Sequence, residues 1–97
     1  MKIHFTGRNI EVTDALKNFT QEKLERVERR DQQISKIDVF FHIENLTHTA
    51  EATAHLPGTE LHATAEAEDM YAAIDNLIDK LTTLVTKHKA KTLGHRQ

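Results

Sequence analysis

From Ile34 to Ala67 the chain changes character at every second residue, and this alternation limits the possible folds more than any other feature. Ile37, Val39, Phe41 and Ile43 form one apolar row, with Phe40 on the opposite side. Ala50, Ala52, Ala54 and Leu56 alternate with Glu51, Thr53 and His55, and Leu61, Ala63, Ala65 and Ala67 alternate with His62, Thr64, Glu66 and Glu68. A period of two puts successive side chains on opposite faces of an extended strand. The helix-forming bias of alanine competes with this pattern, but the period and the threonines favour strands. Asn45-Leu46-Thr47 reads as a connection and Pro57-Gly58 as a turn, so the segment predicts consecutive antiparallel strands. If Leu56 opposes Leu61 across that turn, His55 opposes His62 on the outer face.

A sheet with one apolar face needs a cover, and two segments provide it. Leu16, Phe19, Leu24 and Val27 recur at helical spacing behind Thr13, a good cap, which predicts a helix over about 13–30. Met70, Ala73, Ile74, Leu77, Ile78, Leu81, Leu84, Val85 and His88 make a wider stripe behind Asp69, predicting a second helix from Met70 to about Lys91 with a frayed tail over about 92–97. Lys2-Ile3-His4-Phe5-Thr6-Gly7-Arg8 alternates and stops at glycine, as a first strand with Ile3 and Phe5 inward. A strand, a crossover helix and a strand most simply give a parallel pair. The predicted fold is α+β: a two-layer βαβββα sandwich, a four-stranded sheet with both helices packed on one face. The other face keeps His4, His42, Glu51, Thr53, His55, His62 and Glu66.

At 97 residues this is one domain with one core. There is no cysteine, which excludes disulfides, a thiolate nucleophile and sulfur-based zinc sites. The start of the chain lacks the apolar core of a signal peptide and no stretch is long enough to span a membrane, so a cytoplasmic location and no membrane partner are expected.

Net charge is −2, yet the charge is unevenly placed. Residues 1–37 hold eight Lys/Arg against six Asp/Glu, residues 38–79 hold nine acids and no Lys/Arg, and residues 80–97 hold five Lys/Arg and no acid. Lys23, Arg26 and Arg30 share one face of the first helix, with Arg29 beside them, and Lys80, Lys87 and Lys91 share one face of the second. Side by side on one sheet, the two stripes could flank a groove suited to phosphates. Solvated helix surface is the plainer alternative for the first stripe, since Glu22, Glu25 and Glu28 interleave with it. The second stripe has no such balance, although basic residues also complement a helix carboxyl end. The seven histidines offer at most a cross-strand pair, too few ligands for a metal, and the glycines are isolated, so no phosphate loop exists. No nucleophile or acid–base pair is recognisable, and neither an enzyme nor a cofactor is expected. Tyr71 and Phe40 do not make a stacking platform, and packing is the expected use of both.

The runs Asp69-Met70-Tyr71-Ala72-Ala73-Ile74-Asp75, Leu77-Ile78-Asp79-Lys80-Leu81 and Thr86-Lys87-His88-Lys89 resemble the last helix of the ribosome hibernation promoting factors and their ribosome-associated inhibitor relatives. Thr47-His48-Thr49, Glu60-Leu61-His62-Ala63 and the opening Ile3-His4-Phe5-Thr6-Gly7-Arg8-Asn9 resemble the same family, over nearly the whole chain. The resemblance implies a fold similar to double-stranded RNA-binding domains, seated in the decoding region of the small ribosomal subunit across the messenger RNA and tRNA sites. It implies inhibition of translation in stationary phase and, for a short form such as this, ribosome pairing together with a separate ribosome modulation factor. The expected partners are therefore the small subunit with its ribosomal RNA and whole ribosomes, bound by a protein that is a monomer when free. Carried over by position, the RNA-contacting residues are Lys23, Arg26, Lys80, Lys87, Lys89 and Lys91. Lys89 stands about half a turn from the Lys80 stripe. Thr83 replaces a basic residue common in the family, and Arg29-Arg30-Asp31 stands where an aromatic is usual. Arg29 and Arg30 are expected to make up that missing charge. A general double-stranded RNA binder, or a protein–protein adaptor using the sheet, are the alternatives.

Overall fold

The computed structural model describes the backbone of residues 1–94 and the side chains of residues 1–91. The elements are β1 (Lys2–Arg8), α1 (Asp14–Arg30), β2 (Lys36–Glu44), β3 (Thr47–Leu56), β4 (Thr59–Ala67) and α2 (Met70–Gly94). The strands lie in the order β1-β2-β3-β4. β1 pairs parallel with β2, as a crossover through α1 requires, and the later pairs are antiparallel.

Local chemistry sets the boundaries of both helices. The Thr13 hydroxyl accepts the amide of Leu16 at 3.2 Å, starting α1, and the Asp69 carboxylate accepts the amide of Ala72 at 2.9 Å, starting α2. α1 ends at Asp31, whose amide donates back to the Glu28 carbonyl. The Asp31 carboxylate then accepts the Gln33 amide at 3.0 Å, building the turn into β2. α2 continues to Gly94, three residues past its expected end, and positions 95–97 of the expected frayed tail lie outside the described residues.

The alternating rows meet the helices as the pattern predicts. Ile37, Val39, Phe41, Ala50, Ala52, Ala54, Ala63 and Ala65 are buried from the sheet side. Leu24, Val27, Ile74, Leu77, Leu81 and Val85 are buried from the helix side. The side chains are large on β2 and small on β3 and β4, and α2 packs over the latter two strands.

One part of the predicted pairing is corrected. Leu56 pairs with Thr59, so the turn is the two residues Pro57-Gly58, with Gly58 at φ 76°. His55 consequently faces Glu60, and His62 faces Thr53. The expected His55–His62 pair presumed a longer loop. A slip of two residues keeps every side chain on its own face, so alternation alone cannot distinguish the two registers.

At the end of β1 the chain turns sharply into α1. A Cβ on Gly7 would lie 2.7 Å from the Ile10 carbonyl oxygen and 2.8 Å from a Val12 methyl. Gly7→Ala must therefore push this backbone aside, and a loss of about 1–3 kcal/mol is expected from such overpacking, measured as a lowered urea midpoint.

Candidate nucleic-acid interface

The two helices run parallel, as three contacts in chain order show. Near their starts the Phe19 and Tyr71 rings meet edge to face at 4.9 Å. One turn on, Lys23 forms an ion pair with Asp75 at 2.8 Å, its ammonium also lying 4.7 Å from the Phe19 ring centre. At the far end the Lys89 ammonium donates to the Arg30 carbonyl at 3.0 Å. Both helices therefore point their negative carboxyl ends the same way, and each end carries basic residues that complement its dipole.

These contacts also fix which way each basic stripe faces. Tyr71, Asp75 and Lys89 touch α1, while Lys80 reaches to the other side and donates to the Thr64 carbonyl on β4 at 2.9 Å. At about 100° per residue, Lys87 and Lys91 lie on the Lys80 side. The expectation that the two stripes flank one groove is therefore corrected. Lys23, Arg26 and Arg30 border the seam between the helices, whereas Lys80, Lys87 and Lys91 run along the far flank of α2 beside β4. The direction in which a helical stripe points depends on where the neighbouring helix packs, which spacing within one helix does not reveal.

The eight basic residues singled out from the sequence thus fall into two groups. Lys23, Lys80 and Lys89 are engaged within the fold. Arg26, Arg29, Arg30, Lys87 and Lys91 use their charged ends in no hydrogen bond or ion pair among the described residues, and they spread over the carboxyl halves of both helices. Glu28, which could neutralise part of this end, is instead paired with the amino terminus of Met1 at 3.3 Å. Thr83 donates to the Asp79 carbonyl one turn back on α2, so its hydroxyl is used within the helix.

The opposite face is a lattice of histidines and carboxylates. Glu51 lies between His42 at 3.1 Å and His62 at 3.4 Å, and His55 lies between Asp38 at 2.8 Å and Glu60 at 3.0 Å. Among the described residues no group of three or more His, Asp or Glu is arranged to hold a metal. Phe40 carries Arg8 at 5.8 Å and His42 at 5.0 Å on this face, and Tyr71 is tied to Phe19, so each aromatic has a partner within the fold. No described helix is long and apolar enough to cross a membrane.

Comparison with known proteins agrees with the fold and shows the family. Residues 3–92 match the family described as sigma 54 modulation protein / S30EA ribosomal protein. The chain belongs to this family. It is 46% identical over 95 residues to the ribosome hibernation promoting factor of Escherichia coli K12, covering 98% of this chain and all of that protein. It is 43% identical over 97 residues to the factor of the same name from Azotobacter vinelandii, covering all of this chain and 91% of the other. Among solved structures, a ribosomal subunit interface protein from Coxiella burnetii superposes with a TM-score of 0.88 at 39% identity, covering 93% and 99% of the two chains. The amino-terminal domain of Thermus thermophilus Protein Y superposes with a TM-score of 0.80 at 33% identity, covering 90% and 94%. The matched span contains all eight basic residues.

The histidine lattice has a measurable consequence. The hydrogen bond from His55 holds the Asp38 carboxyl below its ordinary value of 3.8; the charges of Lys36, His55 and His4 act in the same direction and desolvation opposes them. A carboxyl whose pKa is lowered by folding contributes stability above its unfolded value, and that contribution is lost as pH falls through the lowered folded value. Asp38→Asn is therefore expected to be less stable than the parent at neutral pH and to show a shallower loss of stability on acidification, read from urea midpoints across the acid range.

Proposed function

We propose that this protein acts in ribosome hibernation, binding ribosomal RNA of the small subunit at the decoding region through its helical layer and thereby keeping messenger RNA and tRNA from their sites. Five cationic side chains on the carboxyl halves of two parallel helices, without internal partners among the described residues, carry this reading. Such an arrangement neutralises phosphates and releases their counterions, which gives affinity without base-specific contacts. Relatives named hibernation promoting factor and ribosomal subunit interface protein support a ribosomal partner.

The mechanism is occlusion: the domain fills a phosphate-lined channel and carries out no chemistry of its own. A ribosomal partner places the action in the cytoplasm, in stationary-phase cells where translation is to be inhibited. Pairing of the inactive ribosomes, together with a separate modulation factor, completes the proposal.

Cosedimentation with small subunits and whole ribosomes over a salt series, with tRNA, messenger RNA and an unrelated RNA duplex as competitors, tests this directly. Saturable binding displaced by tRNA and messenger RNA but not by the duplex is expected; displacement by any duplex would instead mark a general double-stranded RNA binder. Joint replacement of Lys87 and Lys91 by alanine should lower the logarithmic salt slope by roughly 0.7–0.9 for each lost phosphate contact. Thr83→Arg, restoring a cation between Lys80 and Lys87, should raise the slope by about the same amount, and Arg30→Ala should lower it. A salt-independent complex would contradict the mechanism.

A further inference from the structure

Lys89 occupies a different position from the other lysines of α2. It lies on the side of that helix which faces α1, in line with Tyr71 and Asp75 and about half a turn from Lys80, Lys87 and Lys91. Its ammonium lies 3.0 Å from the carbonyl oxygen of Arg30, 59 residues away in the chain. That oxygen is one of the last four of α1, none of which has a partner within the helix. Asp31 turns its amide back to Glu28 and satisfies one of these carbonyls, and Lys89 satisfies another from outside. The position suits a cation, because the carboxyl end of α1 carries the negative end of its dipole.

We propose that Lys89 is a positioning residue for the basic surface rather than one of its phosphate ligands. Its ammonium caps the end of α1 and fastens the carboxyl halves of the two parallel helices together. Arg26 and Arg30 on one helix, and Lys87 and Lys91 on the other, are thereby held in a fixed relation. The starts of the helices are fixed separately, by the Lys23–Asp75 ion pair and the Phe19–Tyr71 contact. At the far end Glu28 is paired with Met1, and among the described residues no ion pair joins the two helices there, which leaves the Lys89–Arg30 contact to do so. A lysine directed at a backbone carbonyl fastens the helices and leaves Arg26, Arg30, Lys87 and Lys91 available on the surface. This inference builds on the RNA-binding reading, but it makes a prediction about the free protein that does not depend on that reading.

The test combines two measurements on full-length Lys89→Met, Lys89→Arg and Lys87→Ala. Ribosome cosedimentation over a salt series counts the phosphates engaged, and amide hydrogen exchange of the free proteins reports how firmly the last turn of α1 is held. For Lys89→Met the expected result is weaker binding by several-fold at every salt concentration, an unchanged salt slope, and faster exchange in the last turn of α1. Lys89→Arg, which keeps a donor, should restore both. Lys87→Ala should do the reverse, lowering the slope by roughly 0.7–0.9 and leaving exchange at the end of α1 unchanged. A lowered slope with unchanged exchange in Lys89→Met would make Lys89 a phosphate ligand and overturn the proposal, as would the absence of any effect. If the parent protein fails to bind with a salt-dependent slope, the RNA-binding reading fails, and exchange at the end of α1 alone still decides whether Lys89 is a clamp.

Discussion

The contact on which the rest of this molecule depends is the one between the apolar stripe of α2 and the alanines of β3 and β4. Ala50, Ala52, Ala54, Ala63 and Ala65 make a shallow, close-packed floor, and Ile74, Leu77, Leu81 and Val85 lie buried on it. Small residues on the sheet let a helix of large aliphatic residues settle closely, so the volume of the core comes mainly from the helix. On the β2 side the arrangement is reversed, with Phe41 and Val39 filling the space and Phe5 meeting Phe41 at 6.0 Å. The position of α2 on this floor determines where α1 can lie, and hence which of its own side chains face a neighbour and which face solvent.

Much of this was legible in the residues. A strict period of two and a wide stripe at helical spacing allow few arrangements, and the caps at Thr13 and Asp69 are short-range chemistry that any window of four residues reveals. Three features were not legible, each for a physical reason. The β3–β4 register could slip by two without moving any side chain to the wrong face, so pairing His55 with Glu60 rather than His62 is decided by the tightness of the Pro57-Gly58 turn. The direction of the Lys80 stripe depends on a neighbour that is remote in sequence. The engagement of Lys23 and Lys89 within the fold depends on contacts across 52 and 59 residues, which local spacing does not encode.

The net charge of −2 conceals a molecule with two electrostatic characters. On the sheet face Asp38, Glu51 and Glu60 each have a histidine or lysine within reach, so much of the charge there is paired internally. On the helical layer the acids that do form pairs are used for architecture: Asp75 holds Lys23, and Glu28 holds the amino terminus. Arg26, Arg29, Arg30, Lys87 and Lys91 have no internal partner for their charge among the described residues, and a bulk count of charge cannot register that difference. Exposed ion pairs contribute only about 0–1 kcal/mol each to stability, so little folding energy is lost by leaving these cations unpaired.

Parallel helices make the concentration of charge possible. In an antiparallel pair the dipoles would partly cancel at each end, and a cluster of lysines and arginines would meet the positive end of one helix. Here both negative ends point the same way, with α2 running on past the end of α1, and Arg29, Arg30 and Lys91 stand in the last turns where a cation is favoured. The crossover topology enforces this, since β1 and β4 both run in the direction of β2 and each is followed by a helix that returns along the same sheet face. The strand order thus sets the helix directions, the helix directions align the dipoles, and each dipole partly offsets the mutual repulsion of the cations in its own last turn.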